Sequence, residues 1–313
     1  MKLLTVLINY KTAEMTLRSL DALLRETADI PAAFVTIVDN DSGDGSYEKL
    51  QAGVAERGVG DRVKVEASPK NGGFAWGVNW GVRPGLSGPD KADYFYLLNS
   101  DAFPDPGAIK RLIDFLDTHP EAGIAGSYIH GTDGVPHETA FRFPTLMSEL
   151  EGTLSFGPVS RLLDKWIVPL PMPKQTTEVD WLAGASMLIR RQVFDTIGMF
   201  DDTFFLYFEE TDFCRRAQLA GFKTFYVVES SVAHVGSAST GMKERNRPTP
   251  RYWFESRKYF FEKSYGKAYL QASNVAYLVG STLNNIRGKI EKKPARQPKG
   301  HLRDFVKFSF LPK

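Results

Sequence analysis

Hydrophobic positions in the first 130 residues fall into two alternating patterns. Continuous apolar runs at Leu3–Ile8, Phe34–Asp39, Val63–Glu66, Tyr94–Leu98 and Gly123–Ile129 predict short buried strands. Between them lie stretches of helical period. Glu14–Glu26 carries Leu17, Leu20, Leu23 and Leu24 on one face, and Tyr47–Arg57, Phe74–Arg83 and Pro106–Thr118 complete the set. Pro106 suits a first helical turn, where its missing N–H leaves no bond unmade. Strands and helices alternating in this way predict right-handed crossovers. The expected class is α/β, a largely parallel sheet with helices on both faces.

Residues 131–180 break that pattern. Pro136, Pro144, Pro158, Pro169, Pro171 and Pro173 interrupt any long element, which predicts an excursion over the sheet edge that shapes a substrate cleft. Regular signals resume over Trp181–Ile189, followed by helices at Arg191–Ile197 and Glu209–Leu219 and a late strand at Lys223–Val228. Two further helices, Tyr252–Tyr265 and Lys267–Ile290, end the regular part.

Composition bears mainly on partners. The single Cys214 excludes an internal disulfide framework and a cysteine-rich metal site, and it fits a reducing cytoplasmic setting. The apolar run that follows Met1 is too short for a signal segment or a membrane span. The net charge of +2 hides an asymmetry: nine of the 39 Lys and Arg lie from Arg287 to Lys313, against only Glu291 and Asp304. Those cations interleave with Leu302, Phe305, Val306, Phe308, Phe310 and Leu311. The mixture points to an anionic membrane surface rather than to nucleic acid. The alternative is a tail docked on its own domain or on a second subunit of a homo-oligomer.

Candidate chemistry sits where strands end. Asp39 closes the second strand, placed to hydrogen-bond a base or ribose in the crevice beyond it. Asn71-Gly72-Gly73 opens a helix whose free N–H groups suit an anion, although it matches neither a P-loop nor a dinucleotide fingerprint. Asn99-Ser100-Asp101 follows the strand Tyr94–Leu98. Asp101 reads either as a solvated turn residue or as a ligand for a hard divalent cation that also takes phosphate oxygens. Glu209-Glu210-Thr211-Asp212 lies between the aromatic run Phe204–Phe208 and a helix, and one of its carboxylates is a candidate general base. Asp212 can equally pair with Arg215 or Arg216. His234 reads either as a structural residue or as an imidazole ligand beside Asp101. Segment 235–250 reads as a loop that closes over a ligand, and Trp181 with Phe204–Phe208 as an apolar platform. Gly184-Ala185-Ser186-Met187-Leu188 lacks the glycine-serine-glycine pattern of a nucleophile elbow.

Taken in order, seven motifs resemble the inverting, nucleotide-sugar-dependent glycosyltransferase family 2 and its bacterial rhamnosyltransferase-like branch. They are Val6-Leu7-Ile8-Asn9-Tyr10, Val38-Asp39-Asn40-Asp41-Ser42, Asn71 to Gly77, Leu97 to Asp101, Trp181 to Ala185, Glu209 to Asp212, and His234. The resemblance spans residues 3–265. It implies a GT-A fold, Rossmann-like, over 1–265, with a nucleotide-binding half (1–130) and an acceptor and catalytic half (131–265). A helical basic tail (266–313) follows.

The resemblance also implies roles. Asn9, Tyr10 and Asp39 would line the nucleoside pocket, and Asn71, Gly72 and Gly73 would approach the donor nucleotide. Asn99-Ser100-Asp101 stands at the Asp-X-Asp position with Asn in first place. Asp101 and His234 would bind Mg²⁺ or Mn²⁺. Glu210 would be the base, with Glu209 its rival and Asp212 in the same motif; Trp181, Gly184 and Ala185 would meet the acceptor. The implied reaction moves rhamnose from dTDP-rhamnose to a hydroxyl of a cell-surface glycan or polyprenol-linked saccharide. The expected place is the cytoplasm, peripheral to the inner face of the cell membrane. The competing expectations are a UDP-hexose or UDP-galactofuranose donor, or a catalytically silent carbohydrate-binding protein.

Overall fold

The computed structural model describes residues 1–87, 91–236 and 248–310. Its first half follows the periodicity: β1 (Leu3–Asn9), α1 (Ala13–Glu26), β2 (Ala33–Asp39), α2 (Ser46–Glu56), β3 (Val63–Ala67), α3 (Phe74–Ser87) and β4 (Tyr94–Asn99). Next come β5 (Ala102–Pro104), α4 (Ala108–Thr118) and β6 (Ala122–His130). β5 has no counterpart in the sequence reading, because three residues are too few to show a period. The excursion holds β7 (Ala140–Phe141), α5 (Leu146–Leu154), α6 (Gly157–Leu162), β8 (Thr177–Val179) and β9 (Trp181–Leu182). β10 (Ser186–Arg190), α7 (Arg191–Ile197), α8 (Glu209–Leu219) and β11 (Lys223–His234) follow. The chain ends in α9 (Arg251–Tyr265), α10 (Lys267–Ile290) and α11 (His301–Phe310).

The main sheet runs β3-β2-β1-β4-β10-β6-β11-β5, with β8 also paired to β11. Neighbours β3, β2, β1 and β4 are parallel, as are β6 and β11, while β10 enters antiparallel between β4 and β6. The sheet is therefore mostly parallel, as expected. The predicted stretch Trp181–Ile189 is two strands, because β9 pairs with β7 in a separate ribbon before the chain bends at 183–185 into the sheet.

Alternation along β1 sets the two layers. Leu3 and Leu7 face a core covered by α1, α2 and α4; Leu4 and Val6 face a second core covered by α3, α7 and α8. α3 lies close against β1 because Gly77, Gly81 and Gly85 recur every fourth residue. A Cβ at these positions would fall 3.0 Å from Ile8, 2.4 Å from Val6 and 2.7 Å from Leu4. Helical spacing of small residues thus fixes the distance between layers.

The C-terminal helices are tied to the rest by a buried cation. Arg257 on α9 is wholly buried; its Nε donates to Glu149 Oε2 of α5 (2.8 Å) and its Nη1 to Asn274 Oδ1 of α10 (2.7 Å). Burial raises the Glu149 pKa, and the charge of Arg257 opposes that rise. α11 docks on the same unit, with Phe305 stacked on Tyr277 at a ring separation of 4.0 Å. Phe305 is thus core rather than a membrane contact, and Leu302, Phe308 and Phe310 pack beside it. Leu311 lies outside the described residues. Among the described residues no helix is long and apolar enough to cross a membrane.

Arg257→Met leaves Glu149 buried without its counter-charge and is expected to cost about 3–5 kcal/mol in denaturant unfolding. Adding Glu149→Leu should recover most of that loss. A double variant as unstable as the single one would show that the pair is not the link.

Candidate active site

Parallel pairing brings the ends of β1, β2 and β4 to one level, with Asn9 opposite Asp39 and Ile8 opposite Asn99. Asn9 Nδ2 donates to Asp39 Oδ1 (2.7 Å), and Ser42 donates to the same carboxylate from Oγ (2.6 Å) and from its backbone N–H (3.2 Å). Asn9 Oδ1 accepts from Thr16 Oγ1 at 2.8 Å. Asn9 is wholly buried; it orients Asp39 instead of lining a nucleoside pocket. Tyr10 is half-buried.

Gly73 has φ +87°, and a Cβ there would lie 1.8 Å from the carbonyl oxygen of Phe205. That carbonyl accepts from Phe74 N–H at 2.9 Å. Asn71 Oδ1 accepts from Gly73 N–H (3.1 Å) and Asn40 Nδ2 (3.3 Å). A Cβ on Gly72 would overlap the Trp76 side chain. Both glycines are accounted for by packing: Gly73 lets the loop before α8 dock on the start of α3, and Gly72 leaves room for Trp76. Close approach to a nucleotide is not needed to explain them.

Asp101 and His234 are brought together by the antiparallel pairing of β5 with the end of β11, where His234 lies opposite Ala102. β11 runs six residues past the predicted end at Val228, so His234 terminates a strand. His234 Nε2 lies 3.0 Å from Asp101 Oδ1 and 3.3 Å from Asn99 Nδ2. Ser100 Oγ is 3.4 Å from Thr12 Oγ1, which ties the β4 end to the β1 end. A carboxylate and an imidazole nitrogen at this separation fit two positions in the shell of Mg²⁺ or Mn²⁺. Among the described residues no three acidic, His or Cys side chains group to hold a metal. Phosphate oxygens and water would have to complete the shell.

The acidic motif divides into three environments. Glu210 Oε1 accepts from Gly184 N–H at 3.1 Å and faces a cavity of about 670 Å³ shared with Asn99, His137, Glu138, Ala185 and His234. Glu209 is 1 % exposed, and its Oε2 has no hydrogen-bond partner among the described residues. Asp212 is locked by Arg216 Nε (2.8 Å) and Lys263 Nζ (2.7 Å) and does not line the cavity. Its expected catalytic place is therefore corrected to a structural one. Tyr207 and Phe208 both have φ near +70°, a left-handed conformation rare for aromatic residues. This turn delivers Glu209 and Glu210 to the first turn of α8.

Trp181 is not brought to the cavity. It stacks on Phe141 at 4.2 Å, and its Nε1 donates to the Arg142 carbonyl. The aromatic run also divides: Phe204 and Phe208 join a core with Phe260, while Phe205 and Tyr207 lie against Tyr252. Sequence reasoning missed His137 and Glu138, whose only signal was their place in the excursion. Of segment 235–250, residues 237–247 lie outside the described residues.

The family model for glycosyl transferase family 2 matches residues 5–210, from the first strand through Glu210. The chain belongs to glycosyl transferase family 2. Among curated relatives, this family 2 chain is 30% identical over 215 residues to the N-acetylglucosaminyl-diphospho-decaprenol L-rhamnosyltransferase of Mycobacterium tuberculosis, covering 66% of this chain and 68% of the relative. It is 26% identical over 146 residues to the rhamnosyltransferase WbbL of Escherichia coli, covering 47% and 53%. Its fold is similar to mannosyltransferase PcManGT of Pyrobaculum calidifontis in complex with GDP-Man and Mn²⁺. There the TM-score is 0.60 at 12% identity, over 92% of this chain and 75% of that one. It is also similar to GalNAc-T7 with UDP, GalNAc and Mn²⁺, at a TM-score of 0.58 and 15% identity, covering 100% and 59%. The resemblance in sequence and the GT-A-type sheet agree.

In this family 2 site the two adjacent glutamates are unequal. Burial, and then the neighbouring charge of Glu210, pushes the Glu209 pKa well above the usual range. Burial raises Glu210 as well, opposed by its own N–H and that of Gly184. Glu209 is thus the partner held neutral. Below the unfolded-state pKa both states carry its proton and no penalty arises. As pH rises above that value the unfolded chain ionises first, so stability falls with pH. Glu209→Gln removes this loss. Its melting temperature should exceed that of the parent at pH 8 and converge with it near pH 4, whereas a gain confined to acid pH would contradict the assignment.

Proposed function

We propose that this chain is an inverting, metal-dependent rhamnosyltransferase that uses dTDP-rhamnose and a polyprenol-linked saccharide acceptor, working peripherally at the cytoplasmic face of a membrane. The observation that carries the reading is one cavity with Glu210 on one wall and His234, paired with Asp101, on another. A base and a metal-binding pair facing a common space are what a single displacement requires. The rhamnosyl donor and lipid-linked acceptor rest on the names of the relatives.

Asp101 and His234 would hold Mg²⁺ or Mn²⁺, which when bound supplies positive charge to the leaving diphosphate. Asp39, fixed by Asn9 and Ser42, offers its carboxylate to the nucleoside at the sheet's carboxyl edge. Glu210 accepts the proton of the acceptor hydroxyl as that oxygen attacks the anomeric carbon. The bond to the diphosphate breaks on the opposite side, so configuration inverts without a covalent enzyme intermediate. Gly184 keeps Glu210 aimed, since its N–H binds Oε1 and a Cβ there would lie 2.8 Å from the same oxygen.

Turnover is measured as nucleotide released from dTDP-rhamnose with Mn²⁺ and a lipid-diphosphate N-acetylglucosamine acceptor. Glu210→Gln is expected to lower kcat by about 100- to 10,000-fold, and Glu209→Gln to leave it within about tenfold. The reverse order would move the base to Glu209. Because the Glu210 pKa is raised, kcat/KM should fall on acidification through a value above 4.5. Preference for a UDP or GDP sugar would discard the rhamnosyl donor; turnover that survives Asp101→Ala unchanged would discard the metal pair.

A further inference from the structure

The outward face of α10 is aliphatic although small and polar residues of the same helix are buried. Its inward face is built of Leu270, Ser273, Asn274, Tyr277, Gly280 and Ser281, all buried. Gly280 lets α10 rest on α5, since a Cβ there would lie 2.1 Å from Thr153 Oγ1. The outward face carries Val275, Val279, Leu283, Ile286 and Ile290, between 46% and 77% exposed. Spacings of four, four, three and four residues confine these side chains to roughly 80° of arc, along about 22 Å of helix. Their exposure is not a by-product of amphipathicity, because Ser273, Asn274, Gly280 and Ser281 of the same helix are packed inward beside Leu270 and Tyr277 while these aliphatic side chains face out. A contiguous aliphatic stripe on an outward face marks a contact surface.

The charges beside the stripe identify what it meets. Arg287 and Lys289 in the last turn, then Lys292 and Lys293, gather at its C-terminal end, with Glu291 the one acid among them. Glu291 pairs with Lys293 at 2.8 Å. Phe156 is exposed next to this end, beneath the Arg287 guanidinium at 5.1 Å, and extends the apolar surface. An anionic bilayer satisfies both features, taking aliphatic side chains at the acyl boundary and cations at the phosphates.

We propose that α10 lies flat on an anionic phospholipid bilayer through Val275, Val279, Leu283, Ile286 and Ile290, with Arg287, Lys289, Lys292 and Lys293 at the headgroups. The inference rests on the proposed lipid-linked acceptor for its purpose, while the surface is defined by α10 itself. It transfers the membrane contact from the aromatic residues of α11, which are packed on Tyr277 and Phe254, to the outward side of the preceding helix.

The test floats the full-length protein with vesicles of phosphatidylglycerol and phosphatidylethanolamine, and with phosphatidylcholine vesicles as the uncharged comparison. The parent should bind the anionic vesicles, less strongly as salt rises. Val279→Ser/Leu283→Ser/Ile286→Ser should weaken binding by about tenfold or more, and Lys289→Gln/Lys292→Gln/Lys293→Gln should weaken it and remove its salt dependence. Both variants should melt at the parent temperature and turn over the donor equally with a water-soluble acceptor. A parent that stays unbound, or an aliphatic variant that binds as well as the parent, overturns the proposal. So does a parent dimer that the aliphatic substitutions dissociate, which would give the face to a second copy. Absence of donor turnover in all three proteins would count against the proposed function alone, because vesicle binding is read separately.

Discussion

The arrangement of the site depends on how β11 ends. Over its first part the strand runs parallel to β6, with Val227 opposite Ser127. Residues 228–230 then have no partner in the register, and pairing resumes with Ser231 opposite Tyr128. Ser230 is buried in this bulge, hydrogen-bonded to Ser127 Oγ (2.7 Å) and donating to the Ala108 carbonyl (2.9 Å). A bulge bends and twists a strand. Here the strand beyond it also pairs with the short β5 and sets His234 beside Asp101. Two side chains 133 residues apart are brought to 3.0 Å of each other by this backbone pairing.

The opposite wall is held by a strained turn. Tyr207 and Phe208 occupy a conformation costing on the order of 1 kcal/mol each, which persists only where packing over-determines it. That packing comes from the C-terminal helices. Phe208 lies against Phe260 and Trp253, and Tyr207 against Tyr252. Lys263 bridges Asp201 and Asp212, one on each side of the turn. Glu210, the proposed base, is therefore positioned by α9 as much as by its own helix. The buried Arg257 that anchors α9 to α5 and α10 supports the active site from a distance.

Inequality between adjacent carboxylates follows from the same geometry. The first turn of a helix points successive side chains in different directions, so Glu209 turns into the protein and Glu210 toward the cavity. One is deprived of solvent, with its Oε2 unpartnered among the described residues, and keeps its proton. The other meets the Gly184 N–H and can carry the charge that a base needs.

Sequence alone determined the elements and the ends at which chemistry collects. Period two and period 3.6 are local properties, so β1 to β4 and their helices were legible, as were Asp39, Asp101 and the Glu209-Glu210 pair at element boundaries. The spacing of Gly77, Gly81 and Gly85 acquires its meaning only from β1, which they let α3 approach. What tertiary structure decided were the matters of distant partners. Asp212 is structural because Lys263 and Arg216 reach it, Trp181 because Phe141 lies under it, and Gly73 because the Phe205 carbonyl occupies the space of a Cβ. The aromatic tail was core rather than surface because Tyr277 stood ready to stack with Phe305. A motif states which groups are available; the long-range contact that reaches each group first decides which remain open to a ligand.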